Sequence, residues 1–270
     1  MIATLEPQAT SARPIEELRA TASASRLNTW LSCRLKYYFH YVLGLRKPRT
    51  ASLYVGHAVH GVLKLWNQAR WRHDVLTTEQ LKRRFDTLWW MDQHNSPIRW
   101  EDGEEADEKQ TAWSLLDLYF RESPIPPNER PQAVEVSVEA DLSQHGLPRL
   151  IGILDLVRAG RRIVDFKTVG QTPTDEKALH AHQVQLTAYA VLYRANTGDT
   201  EGGRDLHHLV KTKTPKLVVT QQGPMTEAER TRLFKQLESY SEGVARQDFV
   251  PSPGLQCSMC SFLPECKNWS

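Results

Sequence analysis

The chain changes rhythm near its middle. Between residues 25 and 122 apolar positions recur every three to four residues, as in amphipathic helices; from 133 they alternate every second residue, as in half-buried strands. The first regime predicts helices over 25–43 with Ser25 as N-cap, over 54–72, over 78–95 at the capping-box string TTEQ, and over 107–122. SPIPPNERP, residues 123–131, ends that regime. In AVEVSVEAD, Val134, Val136 and Val138 share one face and Glu135, Ser137 and Glu139 the other. Two more strands, 149–158 and 162–168, flank an AGR turn. A helix over 176–196, strands over 205–212 and 215–220 and a helix over 226–247 follow. The order predicts an α/β fold with a mixed sheet, flanking helices and an antiparallel hairpin at its heart. One domain is expected over 23–270: a helical part (23–130), a core (131–222) and a C-terminal helix with a cysteine segment (223–270), behind a loose arm of residues 1–22.

Composition changes this picture little. Of 270 residues 40% are hydrophobic and 24% charged, ordinary for a globular chain, and a net charge of +2 singles out no polyanionic partner. Residues 26–49 hold Arg26, Arg34, Lys36, Arg46, Lys47 and Arg49 without an acid, and EDGEEADE, residues 101–108, holds six acids. Both runs read first as solvated faces. No stretch approaches the ~18 apolar residues of a membrane span and no secretory leader is evident, so a reducing, cytoplasmic setting without a membrane partner is expected.

Charge inside the strands matters more. LIGILDLVRAGRRIVDFKTV, residues 150–169, places Asp155, Asp165 and Lys167 among Ile, Leu, Val and Phe. An unpaired buried charge costs roughly several kcal/mol, so partners are expected. If Val157 pairs with Ile163, Asp155 lies opposite Asp165 and Lys167 opposite Ile153, and all three converge on one face. Carboxylates opposed at ~5 Å repel unless a divalent cation sits between them, and oxygen-rich ligation suits Mg²⁺ or Mn²⁺. The residues alone equally allow Asp–Lys ion pairs at a sheet end. Four cysteines complete the inventory: Cys33 stands alone, while Cys257, Cys260 and Cys266 follow C-x2-C-x5-C. In a reducing setting four thiolates can complete a metal or iron–sulfur site; four unrelated buried cysteines are the alternative.

Taken in order, these strings resemble the PD-(D/E)xK nuclease superfamily in its RecB-like branch, of the AddB and CRISPR-associated exonuclease type. GILDLV and IVDFKT match its Asp and Asp-x-Lys strands. QLTAY matches its Q-x-x-x-Y, placing Gln185 and Tyr189 on one helix face. GHAVH, Gly56 to His60, matches its early histidine helix, and Glu135 matches a glutamate on the preceding strand. Cys33 with CSMCSFLPEC matches the layout of the iron–sulfur members, although Arg34 stands where proline is frequent. The likeness runs from Ser25 to Cys266.

What the resemblance implies is specific. The core would be restriction-endonuclease-like, and the activity that of a metal-dependent deoxyribonuclease, an exonuclease or DNA-end processor. His60, Asp155, Asp165 and the Phe166 carbonyl would hold Mn²⁺ or Mg²⁺. Lys167 would position or activate water, Gln185 and Tyr189 would orient Lys167 or hold a phosphate, and Glu135 would stand near metal or substrate. Cys33, Cys257, Cys260 and Cys266 would hold a structural 4Fe–4S cluster, with Zn²⁺ as the alternative. The implied partners are DNA, single-stranded or with a free end, and a helicase or CRISPR adaptation protein. A catalytically idle DNA-binding or assembly subunit is the competing reading, and the intact Asp155, Asp165 and Lys167 speak against it. His57 is expected in helix packing; His180, His182, His207 and His208 lack partners at metal spacing. Trp30, Tyr37, Tyr38 and Tyr41 are expected in the core rather than stacked on bases.

Overall fold

The computed structural model of the chain describes residues 13–95, 98 and 100–269. Part of the expected loose arm is built into the molecule; residues 1–12 lie outside the described residues. Helix α1 (Ile15–Ala20) and the short strand β1 (Thr21–Ala22) are held because Leu18 and Ala22 are fully buried. β1 also pairs in parallel with the start of β3 (Arg149–Arg158), through Thr21↔Arg149 and Ala22↔Leu150.

The single helix expected over 25–43 is three pieces: α2 (Ala24–Ser32), α3 (Arg34–Tyr37) and a π-turn over Tyr38–Val42. Ser23, not Ser25, caps α2, its Oγ accepting the Arg26 N–H at 3.3 Å. The break is Cys33, whose backbone is extended (φ −164°, ψ 114°). Apolar spacing does not record it, because the stretch after Cys33 divides its side chains between two cores. Trp30 and Tyr37 enter the main core, whereas Leu35 and Phe39 pack with Phe262 beside the cysteines. Trp30 and Tyr37 are fully buried, as expected of core aromatics.

Helices α4 (Ala51–Trp71), α5 (Thr78–Asn95) and α6 (Glu104–Glu122) form one layer. TTEQ is a capping box in fact: Thr77 Oγ1 accepts the Gln80 N–H at 3.2 Å and Gln80 Oε1 the Thr77 N–H at 2.9 Å. The acidic run is partly explained by α6, whose first turn carries Glu104, Glu105 and Asp107 where the helix dipole favours negative charge. The sheet runs β1-β3-β4-β5-β6, with β2 (Ala133–Ala140) also on β3, and with β4 (Arg162–Val169), β5 (Gly203–Val210) and β6 (Lys216–Gln222). Helix α7 (Asp175–Thr197) crosses from β4 to its parallel neighbour β5, and α8 (Glu227–Ala245) starts on a Thr226–Glu229 capping box. Leu156, Val164, Phe166 and Leu209 pack against α4–α6; Leu150, Leu154, Val157 and Ile163 pack against the other helices. A mixed six-stranded sheet flanked by helices is the expected restriction-endonuclease-like core.

Two local departures shape the site. The hairpin has the expected register, Val157↔Ile163, but β3 and β4 pair at only three positions, ending with Leu156↔Val164. β4 continues along β5 from Arg162↔Gly203 to Val169↔Val210, while β3 continues along β2. The strands therefore part just before Asp155 and Asp165. The second departure is Glu135, whose φ of 51° is left-handed inside a strand. Such a conformation at a non-glycine residue costs about 1–3 kcal/mol and persists only where its surroundings impose it. Alternation inverts there: Val134 and Leu156 pack on the α4–α6 side, Val136, Val138 and Leu154 on the other. Two expectations are thereby corrected. The three valines do not share a face, and Ile153 is 49% exposed whereas Val157 is buried.

Candidate active site in the split hairpin

Where the strands part, side chains replace the ladder. The Phe166 N–H donates to Asp155 Oδ2 at 3.2 Å. His60, from α4, brings Nδ1 to 3.4 Å of the same oxygen and sets its ring edge-on to Phe166. One ligand atom each from His60, Glu135 and Asp155 lie within 4.8 Å of one another. Asp165, 1% exposed, turns to a second group. Its Oδ2 meets Lys167 Nζ at 2.7 Å and its Oδ1 accepts Gln185 Nε2 at 2.9 Å. Lys167 Nζ also donates to Gln185 Oε1 at 2.9 Å, and Gln185 Nε2 donates to Tyr189 Oη at 2.8 Å. The i,i+4 pair on α7 is thus a bracket around the Asp165–Lys167 pair. Apart from Asp165, the expected hairpin and helix side chains line one cleft, in two groups; Asp165 is buried beneath it and is not among the three whose donor atoms close up.

The first group is short of positive charge. Burial, then the charges of Asp165 and Glu135, push the Asp155 carboxyl up to about 8. Burial raises Glu135, with Lys64 opposing, and burial lowers His60 despite Asp165 and the Phe166 backbone. Burial also raises the Tyr189 hydroxyl, leaving it a proton donor. Two carboxyls and a neutral imidazole that lack a central cation are a donor set that fits Mn²⁺ or Mg²⁺.

The other histidines take structural places, one of them unexpected. His57 is exposed rather than packed, with Nδ1 3.8 Å from Asp92, which also accepts two hydrogen bonds from Arg49 at 2.9 and 3.0 Å. His207 is buried with Nδ1 2.8 Å from Tyr119 Oη, and the His182 and His208 rings lie 6.1 Å apart. Lys64 is an addition to the expected set. Its Nζ lies 3.8 Å from Glu135 Oε2. The signal existed, since it follows His60 by four residues on one helix face.

The cysteines converge from the two ends of the chain. Cys33 sits at the α2–α3 break, Cys257 in the short turn Leu255–Met259, and Cys266 in α9 (Leu263–Lys267). Together with Cys260 they line one small pocket, walled by Leu35, Phe39 and Phe262. Burial and the neighbouring Cys33, Cys257 and Cys260 raise the Cys266 thiol. Two residues of the basic strip brace this module: Lys47 pairs with Glu265 and lies over the Phe262 ring, and Arg34 pairs with Asp248.

The hairpin groups line an open cleft of roughly 1340 Å³ between α4, the β2–β3 ribbon and α7. Fold and cleft together define a nuclease core, and a family model of the PD-(D/E)XK nuclease superfamily matches residues 21–267. The chain belongs to that superfamily. Among solved structures, one described as "Putative exonuclease" from Eubacterium rectale aligns with a TM-score of 0.65 at 15% identity, covering 95% of this chain and 90% of that one. That likeness shows the fold. A second, SSO0001, is also 15% identical, over 94% of this chain and 96% of that one, but its TM-score is 0.34. No curated protein matches the chain. Among the described residues no helix is long and apolar enough to cross a membrane.

Proposed function

We propose that the protein is a metal-dependent deoxyribonuclease of the RecB-like branch, acting as an exonuclease or on DNA ends. The observation that carries this reading is the split hairpin, which sets Asp155, His60 and Glu135 beside the Asp165–Lys167–Gln185 chain in an open cleft. His60, Asp155, Asp165 and the Phe166 carbonyl hold the divalent ion in this reading, and the proximity of Glu135 supports its joining them. A bound Mn²⁺ or Mg²⁺ supplies Lewis acidity at the scissile phosphate and an acidified water. Lys167, kept in place by Asp165 and Gln185, orders the attacking water and offsets charge on the phosphate oxygens.

The cysteine module holds a structural 4Fe–4S cluster in the same reading. Its support is the convergence of all four cysteines on one small pocket, and Zn²⁺ in the same four thiolates is the alternative. A helicase or CRISPR adaptation companion rests on the family resemblance alone.

The deciding experiment incubates 5′- and 3′-labelled single- and double-stranded DNA with Mn²⁺, Mg²⁺ or EDTA. End-shortened products with Mn²⁺ or Mg²⁺ and none with EDTA are expected. Hydrolysis that persists in EDTA, or none in any condition, overturns the reading. Brown protein with broad visible absorption is expected for the cluster; colourless protein with one zinc per chain establishes the zinc alternative.

A further inference from the structure

A nucleic acid carries a negative charge at every nucleotide, and proteins meet that charge with lysine and arginine. The cleft offers few such groups. Among the described residues that line it, only Lys64 and Lys167 are lysine or arginine, against Glu135, Glu139 and Asp155. Lys167 is committed, in contact with Asp165 at 2.7 Å and Gln185 at 2.9 Å. Lys64 is held far more loosely, 3.8 Å from Glu135 Oε2 with its side chain 44% exposed. By contrast, the Arg158–Glu129 pair is a two-pronged contact at 3.0 and 2.8 Å. A half-exposed lysine at the outer limit of ion pairing is easily redirected, and its four-carbon stem gives it reach.

Glu135 is itself shared. Its carboxylate meets Lys64 on one side and stands with His60 and Asp155 on the other. We infer that Lys64 is a substrate-positioning cation with two alternative partners: Glu135 while the cleft is empty, and a backbone phosphate of the bound strand once Glu135 turns to the divalent ion. Lys64 and His60 stand one turn apart on α4, so the phosphate would be held beside the reacting centre. This assignment rests on the nuclease reading and adds to it a residue that touches the strand rather than the metal.

The test uses the full chain with Lys64→Met and Lys64→Arg. Binding of a fluorescein-labelled oligothymidylate is followed in Ca²⁺ over a range of salt concentrations. Lys64→Met should flatten the plot of log affinity against log salt by about 0.7, the loss of one single-strand phosphate contact, and Lys64→Arg should restore it. Titration of DNA-free protein with Mn²⁺ should show several-fold tighter binding by Lys64→Met, because Glu135 has lost its rival partner. An unchanged salt slope, or weaker Mn²⁺ binding, overturns the assignment. Wild-type protein that binds Mn²⁺ but no oligothymidylate would sink the nuclease reading together with the phosphate role. Oligothymidylate binding with an unchanged slope in Lys64→Met would sink the phosphate role alone.

Discussion

The two ends of this sheet bury acids in opposite ways. Away from the cleft, among the described residues, the buried Asp205 and Glu201 and the half-buried Glu229 each have their own guanidinium: Asp205 takes Arg162 with one contact at 2.9 Å, Glu201 takes Arg194 at 2.7 Å, and Glu229 takes Arg204 at 3.1 Å. In the cleft, Glu135, Asp155 and Asp165 share two lysines and a histidine, and no arginine of the described residues pairs with them. Matched pairs are finished structures, since a planar fork satisfies both oxygens at once. An unmatched cluster leaves like charges facing one another until a cation arrives. The difference separates acids that hold the fold from acids placed for the proposed metal chemistry.

The sharpest way to break that comparison is to remove one acid from each end. Asp165→Ala should lower Mn²⁺-dependent hydrolysis by about 10²- to 10³-fold, the scale on which a buried electrostatic group contributes to a reaction. Labelled-strand turnover would read it, and near-normal cleavage would remove the site. Asp205→Asn at the far end should leave Mn²⁺ affinity alone but destabilise by about 3–5 kcal/mol, because Arg162 is left without its partner. Urea melts would show this, and a change under about 1 kcal/mol would mean that the pair is not structural.

Gln185→Ala tests the bracket between the two groups. Losing the group that orients Lys167 and Asp165 should lower kcat about 10- to 100-fold with little change in Mn²⁺ affinity. A fall in Mn²⁺ affinity of the same size would show Gln185 to be acting through the metal ligands.

The last test is one of pH. The Asp155 carboxyl is raised from 3.8 to about 8, so metal-free native protein keeps its proton over a range where the unfolded chain has lost it. The unfolded state binds fewer protons there, and stability falls as pH rises from about 4 to about 8. Asp155→Asn should abolish that fall, and saturating Mn²⁺ should flatten it in the wild type. Melting temperatures across pH 4 to 8 would check both; an equal slope in variant and wild type would assign it to another group.

Much of the site is legible in the order of residues alone, for identifiable reasons. A short AGR turn between two strand runs is enough to suggest the Val157↔Ile163 register, and the one turn between Gln185 and Tyr189 needs only helix geometry. The missed features depend on contacts between distant segments. The helix breaks at Cys33, where the chain begins to divide its side chains between two cores. Ser23 rather than Ser25 caps α2, and residues 15–22 fold because Leu18 and Ala22 have buried places to go. Lys64 gains meaning only beside Glu135.

By itself, then, the sequence determined which side chains could do chemistry and that a hairpin would carry two of them. Spacing alone decides these, through the periods of strand and helix. Tertiary structure decided how the groups are divided. β5 holds β4 along its full length while β2 holds β3, and the hairpin opens between them. Glu135 is forced left-handed between the Val134↔Leu156 and Val136↔Leu154 pairs, where the alternation inverts and its carboxylate comes to His60. No local propensity favours glutamate at positive φ, so only the competition between neighbouring strands and the helices above and below them could place it there.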